Sequence, residues 1–170
     1  MQNQIILTED QLEHIKSLRK YLMTASQFPD LFQNIVGKNI SYDMRDMISN
    51  PNFFPHGFSI LCVWLGSLNC VVEGWFTLKL RDESIEKLIG TSGNQSDNTR
   101  KLNDFRHKVF HFQSEYEPLR MDFIYDPKLL EWAMQINFEF EKWFDYYFTA
   151  NSLPRDNPHY EWFENHQRDN

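Results

Sequence analysis

The chain is poor in the residues that build loops, disulfide frameworks and nucleic-acid surfaces. Its 170 residues include only two cysteines, six glycines and seven prolines. So little Gly and Pro excludes a flexible linker or a low-complexity chain. Cys62 and Cys70 lie eight residues apart on one apolar run. On a helix their sulfurs would be about two turns apart, out of reach of a disulfide, so both are expected to be buried thiols in a reducing cytoplasm. Positive charge is also short. Seventeen Lys and Arg face 24 Asp and Glu, for a net charge of -7, and no global field draws the chain to nucleic acid or anionic lipid. Any nucleic-acid contact is therefore local.

Several motifs are missing as well. There is no G-x-x-x-x-G-K-[ST] loop, no G-x-G-x-x-G and no G-x-S-x-G elbow, which argues against nucleotide-phosphate, dinucleotide and serine-hydrolase chemistry. No cofactor is expected. The N-terminus MQNQIILTEDQ lacks a basic region followed by an apolar one, so a secretory signal is not expected and the localisation is read as cytoplasmic.

Apolar and aromatic residues are abundant. Hydrophobic residues make up 41% and aromatics 16%, with fifteen Phe and five Trp, enough for one domain with a packed core. Thr8 and Gln11 have capping-box spacing, and Leu12, Ile15, Leu18 and Leu22 follow at helical steps, predicting an amphipathic helix to about residue 25. Pro29 is expected to open a mixed segment through Asn52, with a short helix before Gly37 and another after Ser41. NPNFFPHG, residues 50–57, reads as a turn leading into a long apolar helix over 58–80. Residues 58–78 of it are long enough for a bilayer, but they carry Asn69 and Glu73, and a buried central helix explains them without a membrane.

Asp82 is placed to cap a short helix through Leu88 and Ile89, TSGNQSDNT over 91–99 reads as a loop, and a helix is expected over about 100–113. Asp126 and Pro127 then open a last helix to about Ala150. With no alternating segment and no repeat, the architecture predicted is all-α, a four- to five-helix up-and-down bundle over residues 1–150. Residues 151–170 form a polar tail that keeps Tyr160, Trp162 and Phe163.

FRHKVFHF, residues 105–112, is unusual in mixing two histidines and an arginine with three phenylalanines. At roughly 100 degrees per residue, Leu102, Phe105, Val109 and Phe112 share an arc of about 80 degrees that reads as the core face. Arg106, His107, Phe110 and His111 fall beside it. Three groups able to meet phosphates or protons thus share a face with one large apolar ring, a mixture suited to an interface or cleft. A histidine can take the proton of a ribose 2′-hydroxyl near neutral pH, and an arginine can stabilise the phosphorane that follows. Neither role needs a metal.

RHKVFH, residues 106–111, resembles the R-x4-6-H motif of HEPN domains, small all-α proteins in which a polar residue, here His107, usually follows the arginine. The order of elements is similar too, with an apolar helix bearing Glu73, a polar loop, the motif helix and a closing helix, over roughly residues 8–150. The resemblance implies a HEPN-like bundle that pairs as a homodimer through its motif helices. It also implies a metal-independent endoribonuclease that cleaves RNA by 2′-hydroxyl attack, leaving a 2′,3′-cyclic phosphate. His111 would then be the general base or acid, Arg106 the phosphate clamp and His107 a further polar contact. Much of the family acts in toxin–antitoxin, antiphage or stress systems, which brings an antitoxin protein into view as a partner.

Glu73 is the lone carboxylate in its apolar run. It either reaches across the bundle to Arg106 or a motif histidine and orients it, or sits at a helix edge in water. Three alternatives stand beside the nuclease. His107 and His111 have the i, i+4 spacing of metal ligands, but a zinc site needs further donors, and His56, His159 and His166 serve only if the fold gathers them. A HEPN-like module that binds protein or RNA without cutting is the stronger rival. The aromatic series Trp132, Phe138, Phe140, Trp143, Phe144, Tyr146, Tyr147 and Phe148 could stack bases, although packing is its more ordinary use.

Overall fold

The computed structural model of the chain describes residues 9–36, 54–110, 126–151 and 153. Helix α1 spans Glu9–Val36, α2 Phe54–Thr77, α3 Glu83–Ile89, α4 Asp97–Phe110 and α5 Pro127–Ala150. Between α3 and α4 lies a two-residue ladder, β1 Gly90–Thr91 antiparallel to β2 Asn94–Gln95. The fold is an all-α helical bundle, as its hydrophobic periodicity indicated. Two compact units divide the chain, one through Phe140 and one from Glu141 onward.

Within the first unit, α2 is the central helix. Leu61, Leu65, Leu68, Val71, Val72 and Trp75 are all buried, each large aliphatic side chain contributing roughly 1.5–3 kcal/mol when removed from water. Ser59–Thr77 is long and apolar enough to cross a membrane, but these side chains are covered by the bundle itself. Helix α1 packs on α2 with Ile15, Leu18, Leu22 and Ala25 turned inward. The approach is close at Gly74, where an added Cβ would collide with Cδ1 of Leu18. The first part of α5 is tied in by three contacts. Trp132 Nε1 donates to the Leu88 carbonyl at 3.1 Å, Asn137 Nδ2 donates to Ser26 Oγ at 3.0 Å, and Phe140 meets Trp75 at a ring separation of 5.4 Å.

The ends of α2, α3 and α4 follow their local chemistry. Lys79 adopts φ 53; its amide donates to the Phe76 carbonyl and that of Leu80 to Trp75, both at 3.1 Å. This is the paired hydrogen bonding that closes a helix through a left-handed residue. Asp82 caps α3 by accepting from the amides of Ser84 at 2.9 Å and Ile85 at 3.2 Å, and Gly90, at φ 79, ends it. Ser96 and Thr99 then fasten the start of α4 to the end of α3. Ser96 Oγ donates to the Leu88 carbonyl at 2.9 Å and Thr99 Oγ1 to the Ile89 carbonyl at 3.0 Å. These bonds fix the direction in which α4 leaves.

Three expectations change. Helix α1 does not stop near residue 25 but runs unbroken past Pro29 to Val36. A proline inside a helix forfeits one backbone hydrogen bond, and the turns on either side keep theirs. Helix α2 starts at Phe54 rather than 58, with Pro55 in the first turn, where its missing N–H costs no bond. Part of the 91–99 loop is the β1–β2 hairpin and part is the first turn of α4. The helix expected after Ser41, Phe112 and the tail beyond Leu153 lie outside the described residues.

In the second unit, the end of α5 carries a run of aromatic contacts. Trp143 stacks on Tyr147 with centroids 5.0 Å apart and planes at 10°, and it meets Phe144 edge-on at 5.1 Å. Asn151 closes the helix, its Nδ2 donating to the Tyr147 carbonyl at 2.7 Å. Phe144, Tyr147 and Phe148 are buried, whereas Tyr146 is 58% exposed.

Candidate active site on helix α4

The predicted core face of α4 is realised at Leu102 and Phe105, while Val109 is only half-buried. Leu102 and Phe105 are buried, and Phe110 is 55% exposed. His107 is also on the surface. Arg106 lies between, at the edge of the face that α4 packs on α2, with its side chain 28% exposed. This boundary position lets its aliphatic stem lie along apolar surface while the guanidinium reaches solvent.

Glu73 on α2 is the partner of that guanidinium. Arg106 Nη1 donates to Glu73 Oε1 at 3.2 Å, with the carboxylate side chain 45% exposed. Glu73 combines the two placements open to it in the sequence, meeting Arg106 while sitting at a helix edge in water. Cys70, one turn earlier on the same face of α2 by its i, i+3 spacing to Glu73, is close enough for its thiol to interact with Arg106. Burial raises the Cys70 pKa; the Arg106 guanidinium opposes that shift and Glu73 reinforces it. One turn earlier again, the ring of Phe110 covers Gly66, and an added Cβ there would lie 2.6 Å from Phe110 Cε2.

Gly66, Cys70 and Glu73 therefore form a ledge on α2 against which Phe110 and Arg106 rest. Cys70 departs from its expected role as a buried inert thiol, because it is only partly covered and has a cation beside it. Cys62 keeps that role, its pKa pushed up to about 12 by burial. The sequence held one signal for the ledge, the 66–70–73 spacing on one helical face. What it lacked was the pairing of that face with α4. Val63, one turn before Gly66, is 38% exposed, so apolar surface continues along α2.

Chemically, the arrangement offers one guanidinium with a carboxylate counter-ion at a half-exposed helix boundary, beside a histidine and an exposed ring. A guanidinium so placed can take a phosphate oxygen in place of the carboxylate, since both are met through the same planar donors. His111, like His56, His159 and His166, lies outside the described residues. Among the described residues, no group of three or more His, Cys, Asp or Glu is placed to hold a metal ion. Compared with protein-family models, curated proteins and solved structures, the chain matches none.

Proposed function

We propose that the protein is a HEPN-type, metal-independent endoribonuclease with its reactive face on α4. The observation that carries the reading is Arg106, a guanidinium held at 3.2 Å by Glu73 at the solvent edge of the packed α2–α4 contact. That position suits a clamp for a phosphate diester. In this reading His111, five residues after Arg106, removes the proton of a ribose 2′-hydroxyl as that oxygen attacks phosphorus. Arg106 stabilises the additional negative charge on the phosphorane. The bond from phosphorus to the 5′-oxygen of the next nucleotide breaks, that oxygen takes a proton from His111 of the second copy acting as general acid, and a 2′,3′-cyclic phosphate remains. His107 contributes a further polar contact to the RNA, and Glu73 orients Arg106 until a phosphate takes its place.

The functional unit in this proposal is a homodimer joined along the motif helices in the cytoplasm. Support comes from Phe110 and Val63, large apolar side chains exposed beside the Arg106 ledge, where a second copy would cover them. A regulatory antitoxin is the further partner that the family resemblance suggests. Single Arg106→Ala and His111→Ala variants test the reading when assayed on a mixed-structure RNA. Loss of cleavage in both, with helical content unchanged, supports it. Equal cleavage by wild type and variants rejects it.

The second reading is a HEPN-like module that binds a protein or RNA without cutting. Phe110 favours it, since an exposed ring of that size serves a docking surface as well as a dimer. Under this reading Arg106→Ala weakens partner binding and no RNA fragments form.

A further inference from the structure

At the far end of α2 the chain turns around a small open cavity of about 70 Å³, lined by Trp75, Phe76, Lys79, Arg81, Glu86 and the Gly90–Ser92 segment of the hairpin, among others. A volume of this size admits a few waters or one tetrahedral oxyanion. Two cations and one carboxylate line it. Arg81 Nη1 pairs with Glu86 Oε1 at 3.0 Å, and Lys79, an exposed residue, is the second cation of the lining.

The backbone of Lys79 is also unusual. Among the described residues it is the only one other than glycine with a positive φ. It occupies the position after a helix end where glycine is strongly favoured, because a Cβ is strained in the left-handed region. A lysine there also favours the negative end of the helix dipole. The last turn of α2 carries no basic residue, so a lysine within that turn would have served the dipole without the backbone strain. The chain instead places this lysine in the cavity lining, against local preference, and such departures accumulate where a site is built. Thr91 and Ser92 also line the cavity, and their hydroxyls suit an anion's oxygens as donors.

We propose that this cavity binds a phosphate group, with Lys79 as its principal counter-charge, Arg81 as a second donor and the Thr91 and Ser92 hydroxyls completing the cradle. It uses none of the residues of the nuclease reading and stands whether or not that reading holds. The phosphate belongs either to a free small anion or to the backbone of a nucleic acid. Both present the same tetrahedral oxygens.

The test is an amide chemical-shift titration of the full chain with inorganic phosphate, in parallel with a hexaribonucleotide and with sodium chloride at matched ionic strength. Phosphate is expected to give saturable shifts at Lys79, Thr91 and Ser92 with a Kd in the range of about 0.1–10 mM. Lys79→Gly, which relieves the backbone strain, should preserve or raise the melting temperature while weakening phosphate about tenfold, as loss of a charge-assisted contact does. Lys87→Gln is the charge-matched control, since Lys87 lies on α3 outside the cavity and pairs with Glu83; its affinity should not change. Tighter binding of the hexaribonucleotide than of phosphate assigns the site to a nucleic-acid backbone, and equal or weaker binding assigns it to a free anion. Shifts reproduced by chloride, the absence of saturation, or equal weakening by Lys79→Gly and Lys87→Gln would overturn the proposal.

Discussion

Arg106 and Glu73, 33 residues apart in sequence, join α4 to α2 through a single hydrogen bond of 3.2 Å. Both side chains are partly in water, so the pair contributes at most about 1 kcal/mol to folding. Its consequence falls on the site. Any phosphate reaching Arg106 competes with a carboxylate already there. Glu73→Gln keeps an acceptor for the guanidinium and removes the competing charge. RNA affinity at low salt should rise a few-fold by fluorescence anisotropy, and the melting temperature should move by no more than about 2–4 °C. Lower affinity in this variant would mean that the carboxylate only positions the arginine.

Gly66 and Gly74 of α2 should respond unequally to alanine. At Gly74 the new methyl meets Leu18, which is 5% exposed and held between α1 and α2, so Gly74→Ala should cost about 1–3 kcal/mol in urea unfolding. At Gly66 the methyl meets the half-exposed ring of Phe110, which has solvent to turn into. Gly66→Ala should therefore cost less than about 1 kcal/mol while displacing Phe110, and any self-association through that ring should weaken in sedimentation.

Glycine at position 90 is required by backbone geometry. Its φ is 79, and a Cβ there would strike the Asn94 carbonyl oxygen across the hairpin. Gly90→Ala is expected to lose about 1–3 kcal/mol. Asp82→Ala, at the other end of α3, should lose about 1 kcal/mol by leaving the Ser84 and Ile85 amides without their acceptor. Chemical denaturation of both variants checks the order.

The two thiols should be distinguishable by alkylation. Burial raises both pKa values, to about 12 for Cys62, and Cys70 is the less covered. At pH 8 iodoacetamide should modify Cys70 first and leave Cys62 intact until unfolding. The raised Cys62 pKa also has a sign in the pH dependence of stability. The folded protein holds this proton more tightly, so its contribution is fully present below the ordinary thiol pKa near 9 and is lost as pH rises toward 12. A fall in melting temperature over that alkaline window should shrink in Cys62→Ala.

How far the sequence anticipates the molecule depends on what each element answers to. Asp82, and Asp126 with Pro127, mark helix starts through bonds made within a few residues, and both starts are where their spacing places them. The wheel of α4 separates buried Leu102 and Phe105 from exposed Phe110 because amphipathicity is itself a record of burial. Pro29 misleads because one missing hydrogen bond does not end a helix. Cys70 misleads because its surroundings come from α4, 36 positions away, and no local pattern reports which faces of two helices meet. Glu73 is legible as a carboxylate out of place, and its partner Arg106 as a cation on a neighbouring face; the bond between them is tertiary information.

The most direct measurement incubates purified protein with a mixed-structure RNA in excess EDTA, beside His111→Ala of unchanged helical content, and determines the chemistry of the fragment ends. Cleavage by the wild type alone, leaving 2′,3′-cyclic phosphates, is the expected result. Intact RNA at protein concentrations where the chain self-associates, or fragments made equally by His111→Ala, would contradict it.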